Sequence, residues 1–244
     1  MKAPIHGLAV VVLLAAMDIA LVACGIDTFA TLANDPVAKS YDSTSLQFLG
    51  PAPGDASYLG VELFYRIYDS STDAETDRAY VLARQSAENT VPGSVIKSYL
   101  TAATPGGLNY LNPVLVNPGT GSKIDSIPTL LDADLGSGSA DYYVNIAFPT
   151  DTGTEPKLEI FDGIAALPTV AYTSRRNVTD AGTYKYFKGD EPVSGDADFR
   201  TNSGDVDRTY YVQFFAASYG IDFTSFSELY GDAVFLGLIT LSFE

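Results

Sequence analysis

A period of two runs through this chain and commits it to sheet structure. Tyr58–Tyr68 (YLGVELFYRIY) sets Val61, Leu63, Tyr65 and Ile67 on one side and Glu62, Phe64, Arg66 and Tyr68 on the other. That is the pattern of a long β-strand, whose successive side chains point to opposite faces. Residues 141–148 repeat it, with Tyr142, Val144, Ile146 and Phe148 on one face and Asn145 turned away. Residues 210–217 do the same with Tyr210, Val212, Phe214 and Ala216. Shorter runs at 46–49, 95–100, 157–161, 170–177, 184–187 and 234–243 bring the expectation to about nine strands.

Glycine and proline separate these runs. Pro51-Ala52-Pro53-Gly54, Pro92-Gly93, Pro105-Gly106-Gly107, Asn117-Pro118-Gly119 and Gly136-Ser137-Gly138 all carry turn chemistry. Strands joined by such turns, without regularly alternating helices, predict an all-β, antiparallel β-sandwich with long loops. One inserted helix is expected near 72–88. Thr72 and Glu75 have capping-box spacing, acids at 73, 75 and 77 suit a helix N-terminus, and Ala79, Leu82, Ala83 and Ser86 form a weak apolar stripe. We expect that helix to lie across an end of the sandwich. A second short helical turn is expected after Asp222, where Ser225 and Glu228 repeat the capping spacing. Two small sandwiches are the alternative to one domain, but 101–140 carries little strand pattern and favours one elaborated body. The strand Tyr58–Tyr68 and the closing strands 208–218 and 233–243 look like paired strands of fibronectin-type-III or immunoglobulin-like modules of bacterial surface lipoproteins. That likeness is one of hydrophobic pattern over about a quarter of the chain, with no tryptophan or disulfide behind it.

With 46% hydrophobic and 18% charged residues, the chain has enough apolar material for a packed core. Thirty acidic against fourteen basic residues give a net charge of −16. The resulting field repels phosphate backbones, so no nucleic-acid partner is expected. Its plain physical consequence is solubility on a crowded surface.

Cys24 is the only cysteine and His6 the only histidine. No intramolecular disulfide can form, so an exported chain of this kind depends on its core. Lys2 is a short basic start, and residues 7–17 (GLAVVVLLAAM) are long enough for a signal-peptide core and too short to span a bilayer. Asp18 follows, and a carboxylate inside a membrane helix costs about 2.5–3.5 kcal/mol, which favours cleavage over retention. Leu21-Val22-Ala23-Cys24 then resembles the lipobox of bacterial lipoproteins.

That resemblance implies cleavage between Ala23 and Cys24, a diacylglycerol thioether on Cys24, and attachment to a membrane of the cell envelope through acyl chains such as palmitate. Each buried CH₂ contributes about 0.8 kcal/mol, so several chains anchor durably. Gly25 in place of an aspartate resembles the outer-membrane sorting pattern of enteric bacteria and implies the outer rather than the inner membrane. The expected division is a signal peptide at 1–23, a lipidated N-terminus and tether at 24–44, and a β-sandwich domain at 45–244. Residues 26–44 show no sustained period and read as a tether or as a short N-terminal strand pairing with the body.

The chain carries few of the groups that catalysis uses. Without histidine in the mature chain, a Ser-His-Asp triad, a histidine base and histidine-ligated zinc are excluded. No P-loop, G-x-G-x-x-G or G-x-S-x-G occurs, which leaves only carboxylate pairs, and no enzyme activity or cofactor is expected. Loop 189–207 holds Asp190, Glu191, Asp196, Asp198, Asp205 and Asp207, oxygen ligands of the kind calcium takes. Its spacing fails the EF-hand pattern, with Arg200 at a ligand position and no glutamate at the last one, so it reads as a solvated acidic loop. Asp132 and Asp134 read the same way. Tyr172, Tyr184, Tyr186, Tyr210, Tyr211 and Tyr219 suit half-buried sheet faces as well as ligand grooves. The function these features imply is a lipid-anchored binding or interaction module, with loops at one end of the sandwich taking a protein, glycan or small ligand. The alternative is a structural lipoprotein that assembles with other envelope components.

Overall fold

Alternating strands need apolar cover on at least one face, and the chain supplies it by packing two sheets against each other. The computed structural model describes residues 32, 35–51, 57–87, 93–124, 142–150, 154–162, 170–178, 184–201 and 208–243. All of them belong to the second of the chain's two units, Met1–Ala30 and Thr31–Glu244. The signal segment, Ala23 and Cys24 therefore lie outside the described residues, as do Asp132, Asp134, Asp205 and Asp207.

In chain order the elements are β1 (Val37–Tyr41), β2 (Ser45–Leu49), β3 (Tyr58–Tyr68), helix α1 (Ser71–Ala87), a π-helical turn (Ile96–Leu100), β4 (Val114–Val116), β5 (Tyr142–Ala147) and β6 (Lys157–Asp162). Then come β7 (Val170–Asn177), β8 (Tyr184–Lys185), β9 (Phe199–Arg200), β10 (Thr209–Asp222), β11 (Ser227–Tyr230) and β12 (Val234–Ser242). One sheet runs β1-β2-β5-β6-β7-β4, with β8 paired to β7; the other runs β11-β10-β3-β9, with β12 paired to β10. Pairing is antiparallel apart from the two-residue parallel contact of β9 with Ile67 and Tyr68 of β3. This is the expected all-β sandwich with an inserted helix.

The core between the sheets takes the predicted faces: Val61, Leu63, Tyr65 and Ile67 from β3, Tyr210, Val212, Phe214 and Ala216 from β10, and Val144, Ile146 and Phe148 from the opposite sheet. The other face of the β3–β10 pair is also covered. Phe64, Tyr68, Phe215 and Ala217 meet Ala74 and Val81 of α1, Ile96 and Leu100 of the π turn, and Leu108 and Tyr110 of the following loop. The structure is therefore layered sheet on sheet, with a third layer of helix and loop on the outside. Among the described residues no helix is long and apolar enough to cross a membrane.

Five local expectations are corrected. Helix α1 lies on the outer face of β3 and β10 rather than across an end of the sandwich. It buries Ala74, Asp77 and Val81, while the predicted stripe of Ala79, Leu82, Ala83 and Ser86 faces solvent, with Leu82 37% exposed. The buried stripe escapes a hydrophobicity reading because one of its members is a carboxylate that finds partners inside. The start of the helix is also shifted: Ser70 Oγ, not Thr72, accepts a hydrogen bond from the helix's own Asp73 N at 3.3 Å. Residues 95–100 are helical, not a strand. Ile96 and Leu100 lie four apart and share one buried side, and the Thr101 N–H closes on Ile96 O at 2.9 Å. Short apolar runs fit both periods, and here the helical one prevails.

After Asp222 the chain makes a hairpin rather than a helical turn. The Asp222 carboxylate accepts from Thr224 N at 2.8 Å and Ser225 Oγ at 2.7 Å, and β11 pairs back on β10. The spacing read as a cap thus belongs to a loop held by an aspartate. In the 24–44 segment, Val37–Tyr41 pairs with β2, so the strand reading describes those residues and the sheet begins before residue 45.

Candidate functional site

On β3, even-numbered side chains point away from the sandwich core into the outer layer. Four polar groups meet there inside an otherwise apolar cluster. Tyr68 donates to Asp77 Oδ2 at 3.0 Å, the Tyr68 and Tyr110 hydroxyls lie 2.8 Å apart, Tyr110 donates to Gln213 Oε1, and Gln213 Nε2 donates to Ala74 O at 2.9 Å. Arg200 of β9 closes the far end with an ion pair to Asp77. Burial, with Tyr110 and Asp77 beside it, holds the Tyr68 phenol neutral well above its ordinary range. Tyr110 is pushed up as well, mainly by burial.

Arg66 stands next to this network and takes no part in it. It pairs in register with Gln213 of β10, is only 6% exposed, and its Nε and Nη1 have no hydrogen-bond partner. Among the described residues no carboxylate forms an ion pair with it. Burial pushes its guanidinium below the usual arginine range, and Tyr68, Tyr110 and Asp77 act in the opposite sense. A buried cation without a partner is costly, and buried polar groups are paired in the great majority of cases. Its side chain lines a cleft of about 700 Å³. Asp77 and Tyr80 of α1, Tyr99 of the π turn, the loop from Thr104 to Asn109 and the segment from Ser194 to Thr201 form the rest of its wall.

The fold fixes each wall. The loop after the π turn comes close to itself: a Cβ on Gly107 would fall 2.1 Å from Ala102 O, so only glycine fits. Asn109, at φ 50°, donates from Nδ2 to Ala197 O at 2.9 Å and ties this loop to the opposite wall. That opposite wall is held by the acidic loop. Asp198 accepts from Arg176 Nε at 3.0 Å and Nη2 at 2.9 Å, and from the Tyr65 hydroxyl at 2.7 Å. Asp196 accepts from Arg176 Nη2 at 2.7 Å and Lys185 Nζ at 2.5 Å. Asp196 and Asp198, two of the six acids of this loop, are thus turned onto cations of β7 and β8, their side chains buried and not solvated as the sequence suggests. Asp190 and Glu191 are also engaged, the Asp190 carboxylate accepting from Tyr186 N at 2.8 Å and Glu191 pairing with Arg208. Among the described residues no group of three or more ligating side chains could hold a metal ion.

A second cleft, about 580 Å³, opens at an end of the sandwich beside Phe148, Lys188, Glu191, Arg208 and Phe243. It lies where the sequence pointed to ligand capture, but its cations are occupied: Arg208 pairs with Glu191, and Lys188 donates to Pro149 O. The unsatisfied chemistry is on the outer face. Among the tyrosines singled out earlier, Tyr210 and Tyr219 are buried and Tyr184 and Tyr186 exposed, and none of the six lines the Arg66 cleft.

Arg66 was visible in the sequence only as one polar position of β3. The signal that could have raised it is the company it keeps, since Phe64 and Tyr68 make that face too apolar for solvent. Glu62, on the same face, is also buried. One carboxylate oxygen, Oε1, accepts from Asn112 Nδ2 at 2.9 Å and the other has no partner. Burial raises its pKa above the ordinary glutamate value. A raised folded-state pKa makes ionisation a cost to the folded protein, present at neutral pH and relieved as pH falls through the folded and then the unfolded value. Glu62→Gln is therefore expected to raise the melting temperature at pH 7, with the gain shrinking to nothing below about pH 4. Thermal melts across that range check it, and a variant less stable at pH 7 overturns it.

Comparison with known proteins returned no match to a protein-family model, to a curated protein or to a solved structure.

Proposed function

We propose that the chain is a lipid-anchored lipoprotein of the cell envelope whose β-sandwich is a binding module, with the Arg66 cleft as its ligand site. The observation that carries the binding role is a cleft large enough for a small organic molecule, with a buried and unpartnered guanidinium on its wall. Ligand sites commonly combine such a cavity with a few convergent polar groups. Four kinds of group converge here: a guanidinium, two tyrosine rings, an asparagine amide and loop backbone.

The anchor reading is supported by Leu21-Val22-Ala23-Cys24 following an apolar run. Where the chain joins the domain also fits. Leu32 and Asp35 pack against Gly220 and Gly231, at the base of the β10–β11 hairpin, whose tip exposes Phe223 and Phe226. An exposed apolar tip of that kind suits a lipid surface. The alternative, a structural lipoprotein that assembles with other envelope components, is favoured by the same two phenylalanines and by the exposed edge strand β1.

Intact mass and membrane partitioning of the native protein against Cys24→Ser test the anchor. The expected result is loss of residues 1–23, added acyl mass on the native chain, and release of the serine variant from membranes. A native chain without acyl mass that stays soluble after export overturns the lipoprotein reading and leaves the cleft argument intact.

A further inference from the structure

We propose that the Arg66 cleft binds its ligand through a single carboxylate group, received by the guanidinium edge that Arg66 turns to the cleft, with Arg200 beside it. This rests on the binding-module reading and names the chemistry of the ligand.

Charge balance around the cleft points to one negative charge. Arg200 is matched by Asp77 through an ion pair, with Asp73 a further carboxylate acting on it. Asp196, on the rim, and its neighbour Asp198 are matched by Arg176 and Lys185. Arg66 is left over, buried and with two donor atoms unused. Removing a charge from water without a partner is unfavourable, and a carboxylate arriving in the cleft against the Arg66 guanidinium supplies the opposite charge and a charge-assisted hydrogen bond. A multiply charged ligand fits less well, because the chain's net charge of −16 repels it and only one local positive charge is unmatched.

Size and walls describe the rest of the molecule. About 700 Å³ is far more than a bare ion needs, so the carboxylate is one end of an organic ligand. The ring of Tyr80 and the side of the Tyr99 ring away from Arg84 offer flat apolar surface for a sugar or aromatic ring, while Asn109 and Thr201 on the wall are held by bonds to Ala197 O and Asp69. Tyr80 is more than half exposed, so the ligand approaches from that side.

The test uses the purified full chain and titration calorimetry at low ionic strength. The probes are glucuronate and benzoate, their uncharged counterparts glucose and benzyl alcohol, and inorganic phosphate. At least one carboxylate is expected to bind, with weaker binding as salt rises and none by its uncharged counterpart. Arg66→Gln is expected to weaken that binding by about ten- to a hundredfold and to melt no lower than the native protein, because it removes a buried charge that has no ion-pair or hydrogen-bond partner among the described residues. Ser194→Trp, which crowds the mouth from an exposed position and leaves Arg66 in place, is expected to weaken it too.

Failure of both carboxylates to bind overturns the proposal, as does binding that Arg66→Gln leaves unchanged. An Arg66→Gln chain that folds poorly also overturns it, since Arg66 is then a structural cation. Preference for phosphate overturns the single-charge assignment. Equal binding of an uncharged counterpart overturns the carboxylate while the binding-module reading stands.

Discussion

Replacing Arg176 with methionine is expected to cost about 3–5 kcal/mol of folding free energy, the range for removing one partner of a buried ion pair. Arg176 is fully buried and binds Asp198, itself fully buried, through two nitrogens. Methionine fills much of the space but leaves that carboxylate with only the Tyr65 hydroxyl. For a domain of this size the melting temperature is expected to fall by roughly 10 °C. Arg176→Met with Asp198→Asn removes the stranded charge and is expected to recover a good part of the loss. If the double variant is as unstable as the sum of the singles, the two side chains are not coupled and the clamp has been misread.

The acid limb gives an independent check. Burial alone would raise the Asp196 carboxyl, but Lys185 and Arg176 outweigh it and hold the group below its ordinary value of 3.8. A depressed folded-state pKa contributes stability that is present above the unfolded value and lost as pH falls through the folded one. Native protein is therefore expected to lose stability below about pH 4, and Arg176→Met to show a shallower loss there.

This clamp also shows where a sequence reading runs out. Asp196 and Asp198 are conspicuous as acids in a loop, and a chain read in isolation offers calcium or solvent for them. Their actual partners, Arg176 on β7 and Lys185 on β8, lie 11 to 22 residues back along the chain and face them only once the loop folds over that strand pair. The inner faces of β3 and β10 were legible because burial between two sheets writes a period of two directly into the residues. The outer face was not, because Glu62, Arg66, Asp77 and Gln213 are polar side chains placed where hydrophobicity alone predicts solvent. A helix whose buried stripe includes Asp77 presents the wrong side to a pattern search. The candidate site is built from those same residues, so it was hidden for the reason that makes it a site. Cys24 is the reverse case, since its motif is local and needs no fold to be read.

Phe214 and Phe215, neighbours on β10, give the sharpest test of the outer layer. Phe214→Ala empties the space between the sheets beside Tyr65 and Phe148 and is expected to cost about 3–5 kcal/mol. In a sandwich with a wet outer face, Phe215→Ala would be nearly silent, since surface substitutions usually stay within about 0.5 kcal/mol. Phe215 is instead fully buried, edge-on to Tyr110 at 5.4 Å and to Phe235 at 5.7 Å. Its replacement is expected to cost as much as that of Phe214, and Phe226→Ala, at an 81% exposed hairpin position, serves as the silent control. Denaturant titration of the three variants measures this directly, and a Phe215→Ala no worse than Phe226→Ala removes the third layer. The two core variants are expected to differ in function even where they match in stability. Tyr110 rests on Phe215 and bonds to Tyr68 and Gln213 beside Arg66, so loosening it disturbs the cleft wall. Carboxylate binding measured well below the melting temperature is therefore expected to weaken in Phe215→Ala and to survive in Phe214→Ala.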